Sequence, residues 1–320
     1  MHITSKTERI FFATDIHGSE ICWRKFLGAA SYYGAGTLIL GGDMTGKALV
    51  PLVRLGSGRW RAVLLQQVYE LETEAEIAGL EASIASRGYY PFRTDEDEMA
   101  AFSEDPDAVD RLFHAKVLET VARWMDIAEK KLEGSGISCY VCPGNDDGFE
   151  IDEVISSSRA VLNAEGRRID LGGGFSMVST GWSNPTPWKT HRELDEPALY
   201  EKMSAMMPAE ADCSRWIFNL HAPPRATGLD DAPELDEDLN VKNAGQTLVP
   251  VGSSSVRRVI EERKPLLSLH GHIHEAKAVA RIGHTLCINP GSLYEQGVLQ
   301  GAVIELDRRK GIRSYALTTG

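Results

Sequence analysis

A layered α/β protein is what this chain predicts, and two features carry the prediction. Several short apolar runs, rich in β-branched or aromatic residues, stop abruptly at Gly, Asp, Asn or His, and helical segments lie between some of them. Continuous apolar runs of this kind suit strands buried on both faces. Their alternation with helices suits sheets covered by helical layers.

The elements follow in chain order. IFFAT (10–14) reads as the first strand, 19–33 as a helix and TLIL (37–40) as the second strand. A helix over 107–132 precedes the strand ISCYVC (137–142), and WIFNL (216–220) is the next. A helix over 254–263, with Ser254 or Ser255 as its cap, leads to PLLSL (265–269). Near the end AVIEL and RSYAL flank DRRKG, the pattern of a β-hairpin. One stretch breaks the alternation. Almost a hundred residues separate the strands at 37–40 and 137–142. The 107–132 helix accounts for the crossover and leaves 47–105 as an insertion within a single domain over 1–320. Leu64, Val68, Leu71, Ala75, Ala78, Ala82 and Ala85 recur at spacings of four and three, a seam for another helix. The insertion is therefore expected to be mainly helical. Its seam would pack on the 107–132 helix, join a second copy of the chain, or cap a site.

Composition narrows the function. With 42% hydrophobic and 25% charged residues the chain has the make-up of a soluble globular protein. The apolar run at its start is too short for a signal peptide, and no stretch approaches a membrane span. Five cysteines, an odd number, argue against a disulfide framework and for a reducing, cytoplasmic setting. The net charge of −12 is segmental: residues 94–110 hold eight acids and no base, and 229–238 six acids and no base. Outside them 34 bases face 32 acids. Such segments read as solvated loops that repel polyanions, which disfavours a nucleic-acid partner.

The chemistry sits where the apolar runs stop. IFFAT is followed by Asp15-Ile16-His17-Gly18, TLILGG by Asp43 and ISCYVCPG by Asn145-Asp146-Asp147. WIFNL is followed by His221, and PLLSL by His270-Gly271-His272-Ile273-His274. Ligands of α/β sheets bind beyond the carboxyl ends of the strands, so these side chains should converge. Carboxylate, imidazole and amide oxygen are donors for divalent first-row metals, and no positioned thiolates suggest structural zinc. Singly each motif is weak. Together they crowd one ion and supply two that share a carboxylate.

Asp15-x-His17-Gly18, Gly42-Asp43, Gly144-Asn145-x-Asp147, His221 and Gly271-His272-x-His274 resemble the ordered motifs of the calcineurin-like metallophosphoesterases. Asn289-Pro290-Gly291-Ser292 resembles the turn that often follows the last motif in bacterial and archaeal members. The match spans most of the chain outside the insertion. It implies a four-layer αββα sandwich with two mixed sheets, the metals lying at the strand ends. It assigns Asp15, His17 and His274 to one ion and Asn145, His221 and His272 to the other, with Asp43 bridging. The implied activity is hydrolysis of small phosphodiesters or phosphomonoesters by a hydroxide bridging two ions, Mn²⁺ or Fe first, Zn²⁺ or Ni²⁺ otherwise. The alternative is a non-catalytic scaffold, as in relatives that lost ligands; here all seven positions hold suitable residues. Asp147 takes a position that is usually acidic in the family and would orient the loop. Asp146 stands where many relatives carry a His that protonates the leaving oxygen or holds the phosphoryl group. Beside two cations an Asp is expected to be ionised near pH 7, unable to donate a proton and repulsive to phosphate.

Other features read as structural. Cys139 and Cys142, three apart on a strand, point to opposite faces, and His114 lies on the crossover helix. Gly172-Gly173-Gly174 has no helix after it, and Gly252-Ser253-Ser254-Ser255 reads as capping, with a phosphate cradle as the sharper option. The loops at 183–193, with Asn184-Pro185-Thr186-Pro187-Trp188, and at 222–250 are candidates for substrate walls.

Overall fold

Strand β1 (Thr7–Ala13) shows how the layers arise. Its alternate residues Phe11 and Ala13 pack with helices, whereas Ile10 and Phe12 pack into a second core with the other sheet. The same split divides Leu38 and Leu40 from Ile39 in β2 (Thr37–Leu40), which pairs parallel to β1. Both faces are dry, which explains why these strands read as unbroken apolar runs. The computed structural model describes residues 7–320. Residues 1–6, part of the start judged too short for a leader, lie outside the described residues.

Helix α1 (Glu20–Tyr33) follows β1, capped by the Ser19 hydroxyl and closed by Gly34 in the left-handed region at φ 64°. After β2 the insertion begins with β3 (Ala48–Arg54), β4 (Trp60–Leu64) and β5 (Gln67–Leu71). Helix α2 (Glu74–Ser86), β6 (Tyr89–Asp95) and α3 (Glu96–Glu104) complete it. The crossover helix α4 (Pro106–Leu132) leads to β7 (Ser138–Val141), α5 (Ile151–Ser156) and β8 (Val161–Asn163). Then come β9 (Arg168–Gly172), β10 (Phe175–Thr180), α6 (Glu196–Ala205) and β11 (Trp216–Leu220). A small ribbon of β12 (Asp231–Pro233) and β13 (Leu248–Pro250) precedes α7 (Ser254–Arg263). The chain ends in β14 (Leu267–Leu269), β15 (Ala278–Ile282), β16 (Thr285–Asn289), β17 (Gln300–Asp307) and β18 (Gly311–Thr319).

Two six-stranded mixed sheets result, in the orders β18-β17-β1-β2-β7-β8 and β15-β16-β14-β11-β10-β9. Helices α1 and α4 cover the first through Trp23, Phe26, Val121 and Trp124, with the two tryptophan rings stacked 5.2 Å apart. Helices α6 and α7 cover the second through Leu199, Met203, Val256 and Ile260. This is the four-layer αββα sandwich. The β17–β18 hairpin is present around the DRRKG turn.

The insertion departs from its expected mainly helical character. It contains two helices, but its frame is a four-stranded sheet in the order β5-β4-β3-β6 with a core of its own, including Leu52, Leu64, Leu71, Ile77, Leu80 and Ile84. The seven-residue seam is not one helix face. Leu64, Val68 and Leu71 belong to strands, with Val68 58% exposed, and Ala75, Ala78 and Ala82 lie on the outer side of α2. The inward face of α2 is Ile77, Leu80 and Ile84.

Smaller departures have local causes. Ser253, not Ser254 or Ser255, caps α7 by accepting from Val256 N, while the Glu196 carboxylate takes the N–H groups of Ser254 and Ser255. That helix start is filled by the protein itself, and no phosphate cradle is left there. The acidic segments are not merely solvated loops. Asp95 and Asp105 cap α3 and α4, where carboxylates complement the helix dipole. Asp230 is fully buried and accepts from Ala226 N, Thr227 N and Gly252 N. All five cysteines are buried and unpaired; Cys139 faces the helical layer and Cys142 the inter-sheet core.

Candidate metal centre

Five strands of the two sheets, β1, β2, β7, β11 and β14, deliver their following loops to one place. The ligand atoms of Asp15, His17 and His274 lie within 4.8 Å of one another, and so do those of Asp43, His221 and His272. A third such group, His17, Asp43 and Asp146, joins them. Between the groups Asp43 Oδ2 stands 3.6 Å from His17 Nε2 and 3.3 Å from His221 Nε2. His274 Nε2 is 3.4 Å from Asp15 Oδ1 and 3.0 Å from His17 Nε2. Asn145 arrives on the next loop, tied in where Asp146 N donates to Asp43 Oδ1 at 3.0 Å.

The backbone is bent to achieve this. Asp15, His17, Asp43 and His272 all adopt positive φ, at 52°, 37°, 50° and 69°. Side chains other than glycine hold that region only where their surroundings enforce it, and such residues cluster at functional sites. Glycines supply the close approach: a Cβ on Gly144 would sit 2.1 Å from Asp43 Oδ1, and one on Gly271 would sit 2.3 Å from Asp15 Oδ2.

The donor set fits cations. Asn145 Oδ1, His221 Nε2 and His17 Nδ1 are buried and have no hydrogen-bond partner. Orphaned buried polar atoms are rare in folded proteins and call for an explanation such as an ion. Burial, foremost, pushes the His17 imidazole down to about 3 and that of His272 down to about 4, which keeps their ring lone pairs free. Burial works against charge on His221 as well, but the Asp43 carboxylate beside it holds its pKa up at about 9. Asp15 remains ionised, near 2, because the His274 hydrogen bond and the His221 charge outweigh the burial that would raise it.

No family model matches the chain. An uncharacterized protein of Methanocaldococcus jannaschii is 28% identical over 193 residues, 59% of this chain and 81% of that one. The crystal structure of TT1561 of Thermus thermophilus covers 98% of both chains at 15% identity and a TM-score of 0.50. A novel archaeal phosphodiesterase covers 98% of this chain and 99% of its own at 11% identity and a TM-score of 0.41. The likeness to the Thermus thermophilus structure shows the fold, a four-layer αββα sandwich.

Within that fold, the two adjacent acids do different things. Asp147 is fully buried and accepts four hydrogen bonds, from Met44 N, Thr45 N, Thr45 Oγ1 and Gly144 N. It fastens the Asp43 loop to the Asn145 loop. Asp147→Ala would leave these donors buried and unmet, and is expected to destabilise the protein by about 3 kcal/mol or more. Urea unfolding measures this; an unchanged midpoint would show the latch to be dispensable. Asp146 instead faces the site rim, 23% exposed, and ion-pairs with Lys47 Nζ at 2.8 Å. Burial, then the Asp43 carboxylate, raises its pKa while Lys47 opposes them. The ionised state expected beside two cations concerns the loaded site.

Several supports escaped the sequence because their partners are distant in the chain. Asn145 Nδ2 donates to Thr190 Oγ1, and that hydroxyl donates to Glu193 Oε1, which fixes the amide and leaves its oxygen buried and unpartnered. Arg192, buried, donates to Asp147 O and Gly148 O and pairs with Asp152. The 183–193 loop, read as a substrate wall, thus also braces the Asn145 loop. His221 Nδ1 lies 3.1 Å from the Gly41 carbonyl, an arrangement that leaves Nε2 for an ion. His270 braces the strand end through Leu220 O and Ala222 O and belongs to neither cation group. The Asn289–Ser292 turn ties the last motif down: Asn289 Nδ2 donates to Gly271 O and Ile273 O, and Ser292 Oγ to Asp15 O.

The insertion touches this centre directly. Gly88, in the turn between α2 and β6, lies so close that a Cβ there would sit 2.0 Å from His17 O. A Cβ on Gly46 would sit 2.2 Å from Gly88 O, and Tyr90 Oη accepts from Gly46 N. Ser19 Oγ donates to Ser86 O. The role assigned from sequence, assembly or access, has to be extended to buttressing the ligand loops.

Proposed function

We propose that this chain is a metal-dependent phosphoric-ester hydrolase working with two divalent cations. The observation that carries the reading is the convergence of six carboxylate and imidazole residues from four strand ends, with Asn145 on the loop of a fifth, three of these seven residues carrying an orphaned buried polar atom. Asp15, His17 and His274 would hold one cation, Asn145, His221 and His272 the other, with Asp43 shared. Bound there, the cations would supply an activated water and neutralise charge on the phosphoryl group.

The remaining work belongs to the chain's own residues. Neutral His17 and His272 present lone pairs without a proton to lose. Thr190 and the Gly41 carbonyl fix the Asn145 and His221 side chains, so that no reorientation is needed when substrate arrives. The Asp147 latch keeps the two central loops at a constant separation. The substrates are small phosphodiesters or phosphomonoesters, and the donor types suit Mn²⁺, Fe, Zn²⁺ or Ni²⁺.

Turnover of bis-p-nitrophenyl phosphate by protein loaded with Mn²⁺ tests the reading. Release of p-nitrophenol that stops with EDTA and returns with Mn²⁺ is the expected outcome. A fully loaded protein that hydrolyses neither this diester nor p-nitrophenyl phosphate would instead be a scaffold.

A further inference from the structure

The Asp146–Lys47 pair has no counterpart in the ligand set. Lys47 is the first residue of the insertion, four positions after Asp43, and its backbone is held firmly. Asp147 fixes Met44 and Thr45, and Tyr90 fixes Gly46. From that anchor the ammonium reaches Asp146 Oδ2 at 2.8 Å, and the same oxygen lies 3.9 Å from His17 Nδ1. The Lys47 side chain remains 49% exposed, so the pair sits at the open rim of the cation groups and is not sealed inside them. Its positive charge also bears on His17 and His274.

Charge explains what the pair does. An extra carboxylate at the rim, alone, would repel a phosphate ester. Paired with Lys47 it is neutral, and it holds one ammonium beside the place where the two cation groups meet. A lysine ammonium has three donors on a flexible stem and can keep one on Asp146 while turning another outward.

Resting on the hydrolase reading above, we propose that Lys47 is a substrate-binding residue, positioned by Asp146, whose ammonium grips a non-bridging phosphoryl oxygen of the substrate. Asp146 is then a positioning residue, and the repulsion expected of it is cancelled. The contact is a charge-assisted hydrogen bond, so its loss should weaken phosphate binding by roughly 10–100-fold.

The test measures inorganic phosphate binding to the Mn²⁺-loaded protein by titration calorimetry, with elemental analysis of every sample. Lys47→Met is expected to keep both ions, to lose ~10-fold or more in phosphate affinity, and to raise KM for p-nitrophenyl phosphate more than it lowers kcat. Lys47→Arg should restore most of the affinity, and Asp146→Asn, whose amide oxygen still accepts from the Lys47 ammonium while the repelling charge is gone, should bind phosphate no more weakly than the natural protein. Lys47→Met that binds phosphate as the natural protein does, or that loses its ions, overturns the proposal. If the natural protein binds phosphate through Lys47 yet hydrolyses no ester, the hydrolase reading fails and the phosphate contact stands. If it hydrolyses esters and Lys47→Met is unimpaired, only the Lys47 proposal fails.

Discussion

Asp43→Asn is expected to strip the protein of both ions and to lower turnover by on the order of 10³-fold or more, with the fold retained. The substitution is close to isosteric, and Asn tolerates the left-handed backbone that Asp43 adopts at φ 50°. An amide oxygen can still accept from Asp146 N, so the loop contact survives. What disappears is the buried charge lying 3.6 Å from His17 and 3.3 Å from His221, common to both groups of ligands. Elemental analysis with circular dichroism on the same sample reads the result. Retention of two ions by a folded Asp43→Asn protein would show that Asp43 is not shared.

The second large effect lies outside the ligands. Gly88→Ala should destabilise the protein by about 2 kcal/mol or more and impair cation binding by the proposed group of Asp15, His17 and His274. The new Cβ would meet the His17 carbonyl at 2.0 Å, and the backbone there, at φ 88°, is one that alanine resists. Gly79→Ala is the control: it lies in α2 with open space around its Cβ and should be neutral or slightly stabilising. Thermal unfolding and metal content of the two variants separate the junction from a general intolerance of the insertion. Equal behaviour of both would contradict the buttress. By the same argument a chain with 47–105 replaced by a short linker is expected to bind metal less well, although no ligand is removed.

The strands that carry the site could be read from the sequence because each is buried on both faces and ends at a polar residue of recognisable chemistry. IFFAT before Asp15 and WIFNL before His221 combine both signals in a few adjacent residues. The insertion could not be read the same way. Spacings of four and three linked Leu64, Val68 and Leu71 to the alanines of α2, yet the former lie in a hairpin and most of the latter on the outer face of a helix. Sequence spacing alone does not separate a helix seam from residues of two strands and a helix in succession. Lys47, Thr190, Arg192 and Gly88 were silent for another reason. Their meaning comes from partners far away in the chain, 45 residues for Thr190 and Arg192, or from a backbone approach that no local pattern announces.

The central claim is that one site built from five strand ends holds two cations. Elemental analysis of the protein as purified, and again after stripping and reloading with Mn²⁺, tests it most directly. The account predicts about two ions per chain in the reloaded protein, with hydrolysis of bis-p-nitrophenyl phosphate rising as they bind. A folded protein whose metal content stays near zero after reloading, and which hydrolyses nothing, would contradict it.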